Sequence, residues 1–210
     1  MGETIIPSSS NLTLPPFYNE PKVASSYITD KFYAASINYT ELVSTQMTQH
    51  YYYFVPFVPF ATHTFQAISF YNAAADDNGT NIRVGIYSDD GEGRPGAILV
   101  DAGVAALTGA AAVRTVTISG GQELVKNTIY WPCMVVDSAN VEIYQCENAI
   151  GNVGLNNPLL PSYGVDAIQL APNIFTSYVD SSQTYGALAA SITAGNLIAS
   201  STTPVIYLKG

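Results

Sequence analysis

Charge is what this 210-residue chain has least of. Charged side chains make up 11% of it, against roughly 25% in ordinary soluble proteins. Lys and Arg number 7 against 16 Asp and Glu, for a formal net charge of −9. With no basic run, the chain lacks the electrostatic footprint that duplex nucleic acid demands, and no nucleic-acid partner is expected. No apolar stretch approaches the ~18 residues needed to cross a bilayer, so no membrane partner is expected either. Met1–Ser10 (MGETIIPSSS) has neither a basic n-region nor an apolar h-region, and no secretory signal is read there. Two cysteines argue against a disulfide scaffold. Long amphipathic helices would need Glu, Lys and Arg for their wet faces, and these are too few.

Polarity is carried instead by Ser, Thr, Asn, Gln and 15 Tyr, with 16 Gly and 12 Pro. That is the composition of a β-rich chain with many turns. A weakly charged, tyrosine-rich surface also resembles association interfaces, which are poor in Lys, Glu and Asp and rich in aromatics. Much of the surface is therefore expected to be covered by other subunits.

Residues 1–30 read as an extended arm. Pro7, Pro15, Pro16 and Pro21 fix φ and remove donors throughout it. Its apolar residues come in small clusters (Ile5 and Ile6, Leu12 and Leu14, Phe17 and Tyr18) suited to grooves on a neighbour. Residues 31–210 read as one all-β domain, an antiparallel β-sandwich or jelly roll. Tyr51, Tyr52, Tyr53 and Phe54 begin the densest aromatic stretch, and Pro56 and Pro59 place the rest of that stretch at an edge or a bend. His63–Tyr71 is a strand. Ile82, Val84 and Ile86 alternate with Arg83, Gly85 and Tyr87, which predicts a strand with one wet face. Further strands fall at Ala97–Val104, Val113–Ser119 and Val141–Cys146. Before the last of these, Ile129, Trp131, Cys133 and Val135 share one face. Tyr185–Asn196, rich in Ala and Gly, is the place for one short helix. Val205–Leu208 supplies a last strand that closes a sheet edge.

Little in the chain invites catalysis. Acid–base or nucleophilic chemistry wants a base near neutrality, and only His50 and His63 are present. Both read as strand-end histidines with hydrogen-bonded rings. No catalytic residue, cofactor or metal is expected. The acidic loops Asp76-Asp77-Asn78 and Asp89-Asp90-Glu92 do not have the spacing of an EF-hand, and turns favour Asp and Asn anyway. Cys133 and Cys146 flank an expected hairpin. A bridge would form only in a matching register, and a reducing cytoplasm favours two free thiols. Tyr51, Tyr52 and Tyr53 are candidate interface residues or, through their flat amphipathic rings, candidate glycan contacts.

The order of these signals resembles a β-sandwich module of tailed-bacteriophage structural proteins. The residues that carry the likeness begin with Tyr51-Tyr52-Tyr53 and Phe57-Val58-Pro59. They continue through Thr64-Phe65 with Ile68, Ile82-Arg83-Val84-Gly85-Ile86-Tyr87-Ser88-Asp89, Gly93-Arg94-Pro95-Gly96, Leu99-Val100-Asp101-Ala102-Gly103, Val116-Thr117-Ile118 and Tyr130-Trp131. The likeness spans about residues 33–146, with a terminal strand at 204–208. Similar strings occur in bacterial surface modules with carbohydrate-binding-like sandwiches. The resemblance implies a virion structural protein, assembled in the host cytoplasm, with no catalytic residues and a tendency to form homotrimers. No repetitive shaft precedes the module. That favours a capsid decoration or cement protein, bound to the major capsid protein or other virion proteins through Ile5, Ile6, Leu12, Leu14, Phe17 and Tyr18. The alternative it implies is a tail- or head-fibre receptor-binding module that recognises a host surface glycan.

Overall fold

The structure is a computed structural model and describes residues 26–35, 41–74, 79–139, 141–147, 177–200 and 202–210. Thirteen strands are described: β1 (Phe32–Ala34), β2 (Glu41–Gln46), β3 (Tyr52–Phe54), β4 (His63–Asn72), β5 (Asn81–Asp89), β6 (Pro95–Ala106), β7 (Ala112–Leu124), β8 (Tyr130–Val136), β9 (Glu142–Glu147), β10 (Ser177–Asp180), β11 (Leu197–Ser200), β12 (Thr202–Pro204) and β13 (Tyr207–Lys209). Their pairings are antiparallel. They form two sheets. The first runs β1-β13-β4-β9-β12, with β7 also on β4 and β2 also on β9; the second runs β11-β10-β3-β8-β5-β6. The protein is an all-β sandwich. The arm residues Ile5, Ile6, Leu12, Leu14, Phe17 and Tyr18 lie outside the described residues, as does the acidic loop at 76–78.

Alternation in the sequence builds the space between the sheets. Ile68 and Phe70 of β4 and Val116 and Ile118 of β7 point inward from the first sheet. Ile82, Val84 and Ile86 of β5, and Tyr130, Met134 and Val136 of β8, meet them from the second. Each such side chain contributes roughly 1.5–3 kcal/mol by leaving water. Tyr27 belongs to this core. It is 7% exposed, and its ring centroid lies 4.1 Å from that of Phe60 and 4.9 Å from that of Phe65.

The aromatic stretch is not at a sheet edge: β3 lies between β10 and β8, and Pro56 falls between two further points of pairing with β8, at Val55 and at Phe57. The second sheet also contains Pro132, in the middle of β8. A residue's N–H and C=O point to the same neighbouring strand, and the Pro132 carbonyl accepts the Val55 N–H at 2.9 Å. The missing donor therefore faces Val55, just past Phe54, and the pairing resumes at Phe57, which exchanges both backbone bonds with Tyr130.

Three expectations are revised. The face of β5 that carries Arg83, Gly85 and Tyr87 is not wet. The long β10–β11 connection, residues 181–196, folds back as a strap over the outside of the second sheet. Leu188 and Ile192 of the strap close a second apolar cluster over Tyr52, Phe54, Tyr87, Trp131, Cys133 and Val135. Ile129 packs there too, as its shared face with Trp131, Cys133 and Val135 requires. The strap is irregular apart from one 3-10 turn, Ala194–Asn196; its peptide groups are spent on β6 instead, through Ile98 N–H to the Ala190 carbonyl and Ile192 N–H to the Gly96 carbonyl, both 3.0 Å. These bonds also cover part of an edge strand that would otherwise invite pairing. Lastly, the C-terminal run does not close an edge. β13 lies between β1 and β4, because β1 adds outside it through Phe32↔Lys209 and Ala34↔Tyr207.

Candidate functional site

The strap covers the middle of the second sheet's outer face, and several polar groups nearby hold it in place. Arg83 Nε donates to both Asp101 carboxylate oxygens at 2.9 Å, and its terminal nitrogen lies 2.8 Å from Asp101 Oδ2. The same carboxylate accepts the Leu188 N–H at 3.0 Å and the Gly103 N–H at 3.2 Å. Burial pushes the Asp101 pKa upward, but the Arg83 guanidinium and these two N–H groups outweigh it and hold the carboxyl below its usual range. Tyr87 donates its hydroxyl to the Ala189 carbonyl at 2.8 Å. Burial raises the Tyr87, Tyr52 and Tyr185 phenols and the Cys133 thiol, so all four stay protonated at neutral pH. Cys133 is free, and β8 and β9, which carry the two cysteines, belong to different sheets.

Among the described residues the titratable groups do not converge on one place. His50 Nδ1 accepts the Tyr185 N–H at 3.1 Å. His63, between the rings of Tyr27 and Phe65, has its Nε2 buried without a hydrogen-bond partner, so only one of the two histidines has the bonded ring expected of it. Asp89 and Asp90 turn their carboxylates onto their own loop. Asp89 Oδ1 accepts the Gly91 and Gly93 N–H groups, Asp90 Oδ1 those of Glu92 and Arg94, and Asp89 Oδ2 the Trp131 indole N–H at 3.0 Å. Among the described residues no three His, Cys, Asp or Glu stand together as a metal site.

Two surfaces stand out among the described residues. The first is the outer face of the first sheet. Its rows can be read from the registers: Phe32 beside Lys209, Tyr207 beside Ser69 beside Thr115, and Tyr71 beside Val113. Phe32 is 49% exposed, Val113 57% and Tyr71 37%. Phe32, Ser69, Phe70, Tyr71, Val113 and Tyr207 line a cavity of about 280 Å³ on this face. Tyr144 extends it, with its ring 5.4 Å from that of Tyr71. The one lysine there, Lys209, is bound to Asp30 at 2.8 Å and sits over the Phe32 ring. Ser69 and Thr115 satisfy each other at 2.9 Å. The face offers apolar and aromatic surface with little free polarity.

The second surface is a cleft of about 270 Å³ where the two sheets part, lined by Thr45, Gln46, Thr48, Tyr51, Tyr53, Gln145, Val179 and Ser200. The tyrosine run is thus divided. Tyr51 and Tyr53 line this cleft, whereas Tyr52 is 1% exposed beneath the strap and reaches no outside surface. Sequence reasoning missed the open face. Its residues come from five strands far apart in the chain. The local signal was there in Val113 and Tyr71, apolar residues in phase with Thr115, Thr117 and Ser69 rather than with the core positions.

Compared with known proteins, the chain matches no protein-family model and no curated sequence.

Proposed function

We propose that this protein is a non-catalytic structural module that works by being docked, a capsid decoration or cement protein that lays the outer face of its first sheet against neighbouring virion proteins. The observation that carries the reading is that face, where Phe32, Tyr71, Val113, Tyr144 and Tyr207 occupy positions a free sandwich would give to polar side chains. Contiguous exposed apolar surface of this kind marks interaction sites, and aromatic side chains in place of Lys and Glu suit the centre of an interface. The low ionic content of the whole chain and the resemblance of its strand motifs to phage sandwich modules are what suggest the virion setting. On this reading the proline-punctuated residues 1–30 serve as a second anchor.

The test mixes the full chain with undecorated shells assembled from the major capsid protein of the same virus and measures co-sedimentation. A Val113→Glu, Tyr71→Glu double variant puts two charges on the face without touching the core. The reading expects the parent to sediment with shells and the variant to lose binding by at least about a hundredfold, at about 1.4 kcal/mol per tenfold. Equal sedimentation of both, or none by the parent, overturns it.

A further inference from the structure

The tyrosine cleft has a chemistry unlike that of the apolar face. No lining side chain is a carboxylate or an ammonium: two Thr, two Gln, two Tyr, one Ser and one Val surround it. A chain of net charge −9 that brings no cation to a cleft repels anionic ligands, and a cleft without carboxylates offers a cation no direct counter-ion. The ligand this lining fits is neutral. It is also rich in hydroxyls, for three reasons. Thr45, Thr48 and the two glutamines offer paired donors and acceptors on short and long stems. Gln46 and Thr48 are exposed at the mouth, whereas Gln145 is buried within, its Nε2 only reaching the Thr45 carbonyl at 3.5 Å, the outer limit of a hydrogen bond. The Tyr53 hydroxyl accepts the Thr48 N–H at 3.0 Å, which leaves its own proton to donate.

The apolar part of the lining is also of the right kind. Tyr51 is half-buried, and Val179 closes the floor. A ring that is flat and apolar on one side and polar at its tip matches a ligand with C–H groups on one face and hydroxyls at its rim. A few placed polar groups around an aromatic wall is how such clefts fix orientation. At about 270 Å³ the cleft is just under the roughly 300–1,000 Å³ of sites for drug-sized ligands, so it accommodates one ring and not a length of polymer.

We infer that the cleft between Tyr51, Tyr53, Gln46 and Gln145 binds a single neutral sugar residue, free or at the end of a glycan. The site lies between the sheets, away from the outer face of the first sheet, and sugar binding there is independent of docking through that face. Saturation-transfer NMR on the full chain tests it, with millimolar glucose, galactose, mannose and N-acetylglucosamine as probes and an uncharged Gly/Ser peptide beside them. At least one sugar is expected to receive saturation, chiefly at its ring C–H protons. Tyr51→Ala and Gln46→Ala, both at the solvent edge of the site, are each expected to weaken that binding by about tenfold or more. Their folding is checked by the unchanged emission of Trp131. The inference is overturned by saturation of the peptide alone, by no transfer to any sugar, or by sugar binding that both variants leave intact.

Discussion

The strap over the second sheet exists because position 85 has no side chain, and this can be tested quantitatively. A Cβ built on Gly85 would lie 2.5 Å from the Val100 carbonyl oxygen and would also strike the Leu188 side chain. The carbonyl is backbone and cannot swing away, so Gly85→Ala must shift either β6 or the strap. Overpacking of this kind costs roughly 1–3 kcal/mol. Leu188→Ala acts in the opposite sense by emptying the space. Buried Leu→Ala changes cost about 2–5 kcal/mol. Leu188 keeps 8% exposure and the strap has room to settle, so the lower end applies, about 2–3 kcal/mol. At ~2–4 °C per kcal/mol for a chain of this length, that lowers Tm by roughly 4–12 °C. The two residues compete for one volume, so the double variant should cost less than the sum by about 0.5 kcal/mol or more. Trp131 is the only tryptophan and lies in the same cluster. Guanidinium unfolding followed by its emission therefore reports all four proteins. A Gly85→Ala protein with an unchanged midpoint, or strict additivity of the two changes, would refute the packing argument.

Two further outcomes concern the same cluster. The Asp101 carboxyl titrates below its unfolded value of about 3.9, so its stabilisation is full above that value and fades as pH falls through the folded pKa. The Tm gap between the parent and Asp101→Asn, measured from pH 7 downward, should stay constant to about pH 5 and shrink below about pH 4; a gap that persists unchanged into strong acid contradicts the role given to the Asp101 carboxylate in holding Arg83 and the Leu188 N–H. Cys133, fully enclosed and with its thiol pushed up by burial, should resist alkylation in the native protein and react on unfolding. Peptide-level mass spectrometry checks this, and rapid native labelling of Cys133 would contradict it.

What could be read from the sequence was the periodic part. Ile82, Val84 and Ile86 alternate because one face of β5 meets the inter-sheet core. The turn residues between strands mark where the chain reverses. The all-β class rests on these, as does the shared face of Ile129, Trp131, Cys133 and Val135. The strap escaped because its covering role is tertiary. Residues 181–196 have no period, and only the folded sheet shows that Leu188 lands on Gly85. Alternation also gives no warning that a polar-phase position such as Arg83 will be roofed over. The open face is hidden for a related reason, since Phe32, Tyr71, Val113, Tyr144 and Tyr207 become neighbours only through β13 and β9 joining β4. Near Gln66 the phase changes within a single strand. The β4–β7 register slips between Phe65 and Ala67, and the slack is taken by Gly120 and Gly121, both at positive φ, where other residues would be strained.

The claim that this protein works by docking is tested most directly by hydroxyl-radical footprinting of the free and shell-bound chain. Phe32, Tyr71 and Tyr207 should be oxidised readily in the free protein and become protected together on the shell, while Ile198, which is 60% exposed on the second sheet, keeps its reactivity. Protection at Ile198 with Phe32, Tyr71 and Tyr207 left reactive would contradict the account.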